Sequence, residues 1–432
     1  MRFRIRDSTD PDTQKTALIV AIAMVVIAFA LAIWLAANGI FGKLWIVVWS
    51  NQAYPLILVL LIGFGGYWKL REKQEFTWGE LGIYCLLCPL ISYPFAATAY
   101  YFCTDLHDRE VWNGYVVKAV YTESWTERIT TTDSKGRTTT TYVFHPATYV
   151  LTTSNDGETV SVSWPKYREV AKLFGTEKFE AVIRLNRSSI GDGNRYVAAW
   201  NGKPEAKIPT AVEHHYVNYL KASDSVLRVR GATSGFEDLL KPYPRVHDGP
   251  HGRICIDRLV CAGTSPPEAW MQAVNRRLCE ELMELGKRKE VNILVYVVGT
   301  EDESFFYALQ EYWISGKQND VIVVIGTDEF PKIRWVRVMA WTSNELFKEL
   351  LADRIRGMKT IENGDALVSN IVTQVAVDGN EGFLRRPMDE YEYLVAFIGL
   401  PWWGVVLLIV LVTALMSPVI WWFCINDWFV TH

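Results

Sequence analysis

Apolar residues are concentrated near the two ends of the chain. Residues 17–37 form an unbroken apolar run, and residues 404–424 are almost entirely apolar. Each run is long enough for a helix, which rises about 1.5 Å per residue, to cross a lipid bilayer. Residues 104–391 have the mixed composition of a water-soluble domain. The pattern predicts an integral membrane protein that carries a large soluble module.

Hydrophobicity predicts a bundle of four membrane-spanning helices behind a short tail, residues 1–15. The predicted spans are residues 16–41, 45–68, 79–103 and 401–424. Pro89 and Pro94 predict a kink in the third span, which a neighbouring helix must compensate. Gly63, Gly65 and Gly66 should let another helix approach the second span closely.

Positive charge in the short loops predicts the orientation. The N-terminal tail and the loop after the second span contain most of it: Arg2, Arg4, Arg6 and Lys15, then Lys69, Arg71 and Lys73. The loop after the first span has only Lys43. Because such charges stay in the cytoplasm, we expect a bacterial inner-membrane protein with both termini cytoplasmic and residues 104–391 extracytoplasmic. If the second or third predicted span does not cross the membrane, the soluble module would instead lie on the cytoplasmic side.

The first part of the soluble module, residues 111–230, is predicted to be β-rich. Two Thr-rich runs, residues 125–132 and 137–145, flank the turn sequence Asp133-Ser134-Lys135-Gly136, which indicates a long hairpin. Exposed strand edges are templates for pairing, so this hairpin either joins subunits or is a mobile surface ribbon. The residues expected to contact a neighbour are Trp125, Thr130, Thr131, Thr132, Arg137, Thr138 and Thr139.

The second part, residues 260–378, alternates between helical and strand patterns and predicts a compact α/β sandwich. Ser265 with Pro266 is typical of a helix start, and the apolar spacing continues this helix to about residue 287. The predicted elements that follow are strand 291–298, helix 303–313, strand 321–325, strand 333–341 and helix 344–356.

This second part resembles the TPM-domain family of extracytoplasmic α/β modules. The likeness is carried by a helix that ends at Leu285-Gly286, by the strand at residues 292–298, and by Trp313-Ile314-Ser315-Gly316-Lys317-Gln318-Asn319-Asp320 leading into an apolar strand. It covers residues 260–378 only. Residues 111–165 are more distantly similar to uncharacterised membrane proteins of bacteria and bacteriophages.

The TPM resemblance implies a metal-dependent, phosphatase-like hydrolase. It would place a divalent metal such as Ca²⁺ or Mg²⁺ on Asp302, Asp320 and Asp328, because such hydrolysis needs carboxylates that converge on metal and phosphate. The alternative is that these are solvated loop acids. Residues 340–343, Ala-Trp-Thr-Ser, depart from the family, which usually has a Gly-x-Gly turn there.

Composition and the cysteines bear on the partners and the function of the chain. A net charge of −4 argues against nucleic acid as a partner. Cys255 and Cys261 flank an apolar stretch, and a disulfide between them is one possibility in an oxidising compartment. The patterns favour a non-enzymatic, self-assembling scaffold whose partners are membrane lipid and copies of itself. The alternatives are the hydrolase and a pore formed by an oligomer.

Overall fold

The computed structural model describes residues 11–37, 41–71, 77–132, 136–155, 157–175, 177–182, 188–190, 193–223, 230–249 and 253–425. The helices are α1 (Pro11–Ala37), α2 (Phe41–Ser50), α3 (Ala53–Arg71), α4 (Trp78–Cys103), α5 (Trp164–Phe174), α6 (Tyr219–Ala222), α7 (Glu268–Lys289), α8 (Phe305–Tyr312), α9 (Glu345–Arg356), α10 (Gly364–Ala376) and α11 (Trp402–Ile425). Short 3-10 segments cover Pro204–Ala206 and Met388–Phe397.

The strands of the described residues fall into three sheets. They are β1 (His107–Thr122), β2 (Trp125–Thr132), β3 (Thr138–His145), β4 (Thr148–Thr153), β5 (Thr159–Ser161), β6 (Lys178–Glu180), β7 (Ser188–Ile190), β8 (Arg195–Ala199), β9 (Pro209–Val217), β10 (His247–Asp248), β11 (Ile254–Cys255), β12 (Leu259–Ala262), β13 (Asn292–Gly299), β14 (Asp320–Thr327) and β15 (Trp335–Ala340).

The chain divides into two compact units. The helical unit consists of Met1–Arg109, His215–Arg228 and Pro387–His432. The sheet unit consists of Glu110–His214 and Val229–Arg386.

Three helices of the helical unit are long and apolar enough to cross a membrane. They are α3, α4 and the Trp402–Ile420 part of α11. Val26–Ala37 and Phe41–Ser50 add a fourth if they form one broken span, because they are bent by 112° at the break between them. The described chain therefore contains three or four candidate spans, which is compatible with a membrane protein.

The predicted span at residues 45–68 is wrong as one continuous helix. The structure ends α2 at Ser50 and begins α3 at Ala53. Asn51 supports the break with its side chain. Its Oδ1 accepts the backbone N–H of Ala53 at 3.0 Å, and its Nδ2 donates to the carbonyl of Ile398 at 2.6 Å. Asparagine side chains compete in this way for backbone groups that a helix would otherwise use.

Helix α4 packs against α1, α2, α3 and α11, and it contains both prolines without interruption. A Cβ on Gly65 of α3 would lie 2.6 Å from Cε1 of Tyr84 on α4, so this glycine permits the close approach that the sequence predicts. Gly63 and Gly66 have open space instead.

The largest sheet has eight strands. Its main order is β10-β11-β9-β1-β4-β5, with β8 between β1 and β6. The sequence predicts a helix over residues 211–222, and that prediction is wrong. Residues 209–217 form β9, because strands distant in sequence, β1 and β11, flank them, and only the single turn α6 is helical.

The α/β sandwich is built on a four-stranded sheet of order β12-β13-β14-β15. The first three strands are parallel, and β15 is antiparallel to β14. Ile293, Val295 and Val297 face α7, α9 and α10, whereas Leu294 and Tyr296 face α8 and residues 236–243. Both faces are therefore covered, as a continuous apolar strand requires. Helix α10 and strand β12 are additions to the predicted elements.

Candidate functional site

The long hairpin has the strands that the sequence predicts and forms a sheet of its own. Strands β2 and β3 pair from Trp125↔His145 to Thr132↔Thr138, and β7 pairs with the other edge of β2. At its base Trp125 stacks on His145, with 4.1 Å between ring centroids. Within the described residues no strand lies on the outer edge of β3.

Six of the seven predicted contact residues lie toward the free end of this hairpin, whereas Trp125 lies at its base. Thr130, Thr131 and Thr132 are exposed and lie opposite Thr140, Thr139 and Thr138. Arg137 is exposed at the start of β3, and residues 133–135 of the turn lie outside the described residues.

Two aromatic residues of the hairpin were missing from the predicted contact set. Tyr142 is 57% exposed and Phe144 is 65% exposed. Because alternate residues of a strand point to the same side, they share one face of β3. Large apolar side chains exposed together on one sheet face are the usual mark of an interaction surface. The sequence signal for this shared face is that the two aromatic residues are two positions apart in a predicted strand.

The three acids of the predicted metal site do not meet. Asp302 follows β13 and Asp328 follows β14, whereas Asp320 begins β14 at the opposite edge of the sheet. Arg334 binds Asp328 and lowers the pKa of that carboxyl to about 2. Among the described residues no group of three His, Cys, Asp or Glu side chains is arranged to hold a metal ion.

Cys255 and Cys261 are free thiols in different sheets. Cys255 belongs to β11 of the eight-stranded sheet, and burial raises the pKa of its thiol. Cys261 belongs to β12, where burial raises the thiol pKa to about 11. The structure does not bring the pair together as a disulfide.

Asp320 instead anchors a buried polar network at the start of the parallel strands. Its carboxylate accepts the Tyr243 hydroxyl at 2.9 Å, the Lys317 backbone N–H at 2.7 Å and the Asn292 amide at 2.8 Å. Asn292 and Asp320 are register partners on β13 and β14. Asn292 also accepts from Arg258 at 2.6 Å, so one amide joins a buried cation to a buried acid.

Burial has the largest effect on the pKa of the Asp320 carboxyl. The side chain has no exposed surface, and desolvation raises the carboxyl pKa to about 6 although three donors favour its charged form. A carboxylate without access to solvent is poorly placed to take a metal or a substrate. Its contacts are those of a structural residue that ties β14 to β13 and to the segment around Tyr243.

Comparison of the sequence with models of known families, and with curated proteins, finds no match. The likeness to TPM domains therefore rests on the residues quoted for it above. The exposed face of the hairpin is the candidate functional surface of this chain.

Proposed function

We propose that this chain is a membrane-anchored scaffold that assembles with copies of itself through the hairpin at residues 125–145. The observation that carries the proposal is the pair of exposed rings, Tyr142 and Phe144, on a strand whose outer edge has no partner strand among the described residues. An unpaired strand edge offers a row of backbone donors and acceptors.

A second copy of the same strand is the favoured occupant of that edge. Two antiparallel copies of β3 would relate by a two-fold axis and present the same groups to each other. The rings of both copies would then lie on adjacent strands, within reach of one another, and would cover each other's apolar surface. A TPM-type hydrolase would need converging acids, and Asp302, Asp320 and Asp328 lie apart.

The proposed location is the bacterial inner membrane, with both termini cytoplasmic and the sheet unit outside. The positive residues near the N-terminus, at the end of α3 and just after it support this orientation. If the bent pair of α1 and α2 is one broken span, the chain crosses four times and the termini share a side.

The double variant Tyr142→Lys/Phe144→Lys should dissociate the assembly into single subunits. Four new charges would face one another across each two-fold pair of β3 strands, and like charges on neighbouring strands repel. Mass photometry of the protein in nanodiscs would report the change directly.

The matched control is Phe179→Lys/Tyr307→Lys, which adds the same charge at rings that are 58% and 47% exposed outside the hairpin. Its mass should equal that of the unmodified protein. An unmodified protein that is already a monomer, or a hairpin variant that keeps the oligomer mass, would show the proposal to be wrong.

Two single cysteines test the orientation. Thr139→Cys in the hairpin should gain one label from a membrane-impermeant maleimide in spheroplasts, whereas Ser8→Cys should gain one only after the membrane is permeabilised. The labels on the natural thiols are counted first in the parent chain. The opposite pattern would place the sheet unit in the cytoplasm.

A further inference from the structure

A second surface, independent of the hairpin, lies in the sheet unit. A cavity of about 380 Å³, open to solvent on one side, is lined mainly by residues 209–211 of β9, residues 253–258 around β11, and residues 272–279 of α7. Small-molecule sites usually measure about 300–1,000 Å³. The cavity is therefore large enough for a compact ligand.

Positive charge predominates in its lining. Arg253, Arg258 and Arg276 contribute three cations, and Asp257 is the one carboxylate among the described residues of the lining. Asp257 lies 3.9 Å from His247. Arg253 and Arg276 make no ion pair within the described part of the chain, so the lining has an excess of about two positive charges when His247 is neutral.

Arg258 is the most unusual member of the lining, because its side chain is only 2% exposed and no carboxylate of the described chain contacts it. Its three donor contacts end on neutral atoms: Oδ1 of Asn292 at 2.6 Å, Oδ1 of Asn113 at 2.6 Å and Sγ of Cys279 at 3.3 Å. A guanidinium has five N–H groups, so two are left without an acceptor. Burial of a cation with neutral partners only is costly, and an anion in the cavity would compensate that cost.

Thr210 of β9 supplies an independent observation. It is 3% exposed, and its hydroxyl has no hydrogen-bond partner among the residues that the structure describes, although it lines the cavity. Buried hydroxyls normally have partners. A ligand oxygen would satisfy this one.

We infer that the cavity binds a phosphate monoester through its phosphate group. Arg258 donates its two remaining N–H groups at the base, Thr210 donates its hydroxyl, and Arg253 and Arg276 face the phosphate from the rim. Guanidinium groups match phosphate oxygens in geometry, and a dianion balances the excess charge of the lining. The described lining contains donors in excess and one acidic side chain, which disfavours a metal ion.

Glycerol 3-phosphate is the first probe, used with the full chain in phosphatidylcholine nanodiscs. Binding is measured by calorimetry and by protection of α7 from hydrogen exchange. Arg276→Gln should weaken binding about tenfold, since a charge-assisted hydrogen bond is lost, and Thr210→Val about fivefold. Arg277→Gln is the matched control, because Arg277 lies next to Arg276 on α7 but pairs with Glu281 at 2.6 Å. It should bind like the unmodified protein.

A second arm separates two sources of the phosphate. Nanodiscs that contain phosphatidic acid replace the soluble probe. Protection of α7 there, lost in Arg276→Gln and Thr210→Val, would assign the site to a lipid headgroup, and saturable binding of glycerol 3-phosphate would assign it to a soluble phosphate ester. Either result supports the inference.

Three results would overturn it. One is the absence of binding in both arms. Another is equal weakening by Arg276→Gln and Arg277→Gln, which would indicate a diffuse charge effect. The third is equal affinity for succinate, which would make the site a general dicarboxylate site. The oligomer mass is not part of this readout, so the outcome is distinguishable from that of the hairpin experiments.

Discussion

Replacement of Asp320 by alanine is expected to destabilise the α/β sandwich by about 3 kcal/mol, because each buried donor left without an acceptor costs about 1–3 kcal/mol. Three donors lose their acceptor: the Tyr243 hydroxyl, the Lys317 N–H and the Asn292 amide. The loss should appear as faster hydrogen exchange in β13 and β14 of the full chain in nanodiscs.

Asp328→Ala is the control for this experiment. It removes another member of the predicted metal set, but one that forms a surface ion pair with Arg334, and such pairs contribute about 0–1 kcal/mol. Unchanged exchange in Asp320→Ala, together with loss of a metal-dependent activity, would contradict the structural role and favour the hydrolase.

The destabilisation by Asp320→Ala should also depend on pH. The carboxyl pKa is about 6 in the folded chain, whereas the ordinary pKa of an aspartate side chain is 3.8. A raised pKa means that the folded state holds the proton more tightly, so this group stabilises the fold at low pH and loses that contribution as pH rises through about 6. The difference between the unmodified protein and Asp320→Ala should be about 1 kcal/mol larger at pH 5 than at pH 7. The opposite sign would show that the ionised form is the stabilising one.

Gly299→Ala should destabilise the same sheet by about 3 kcal/mol, at the upper end of the usual cost of overpacking. A Cβ at this position would lie 2.0 Å from the carbonyl oxygen of Gly263. That oxygen is a backbone atom, and the backbone of residue 299 fixes the position of the Cβ, so neither atom can rotate away. Relief requires β12 and β13 to separate, so exchange at Leu259–Ala262 should rise most.

Gly357→Ala provides the contrast in the same domain. The nearest atom to its Cβ is 3.4 Å away and its φ is −60°, so an alanine fits. It should leave stability unchanged or raise it by up to about 1 kcal/mol, because alanine restricts the unfolded chain. Similar exchange in both variants would show that the contact with Gly263 is not limiting.

The α/β sandwich could be predicted from sequence because its signals are local. Strands β13 and β14 are continuous apolar runs that begin within a residue of the predicted positions, and α7 continues for two residues beyond the predicted end. Strand β9 could not be predicted in this way. Its pattern is compatible with a helix, and its partners β1 and β11 are distant in sequence. The break at Asn51 depends on a contact with Ile398, which no local pattern contains.

The candidate sites also differ in this respect: one depends on a local sequence pattern and the other on contacts between residues distant in sequence. Strands β2 and β3 followed from a turn signal between two β-prone runs. The buried network did not, because Arg258 meets Asn292 and Asn113 across 34 and 145 residues of sequence. The TPM resemblance implies that Asp302, Asp320 and Asp328 form one metal site. In the structure Asp320 begins β14, so it lies at the opposite end of the parallel strands from Asp302 and Asp328.

The repeated threonines of the hairpin have a consequence for how this segment can evolve. Thr130, Thr131 and Thr132 lie opposite Thr140, Thr139 and Thr138, so successive rungs are chemically identical. Register is weakly specified where neighbouring positions are equivalent, so the unlike pairs nearer the base, which include the Trp125–His145 stack, distinguish one alignment from another. Two residues added to each strand would restore the same ladder and keep every side chain on its own face. A ribbon lengthened or shortened in such steps would keep the pairing at its base unchanged.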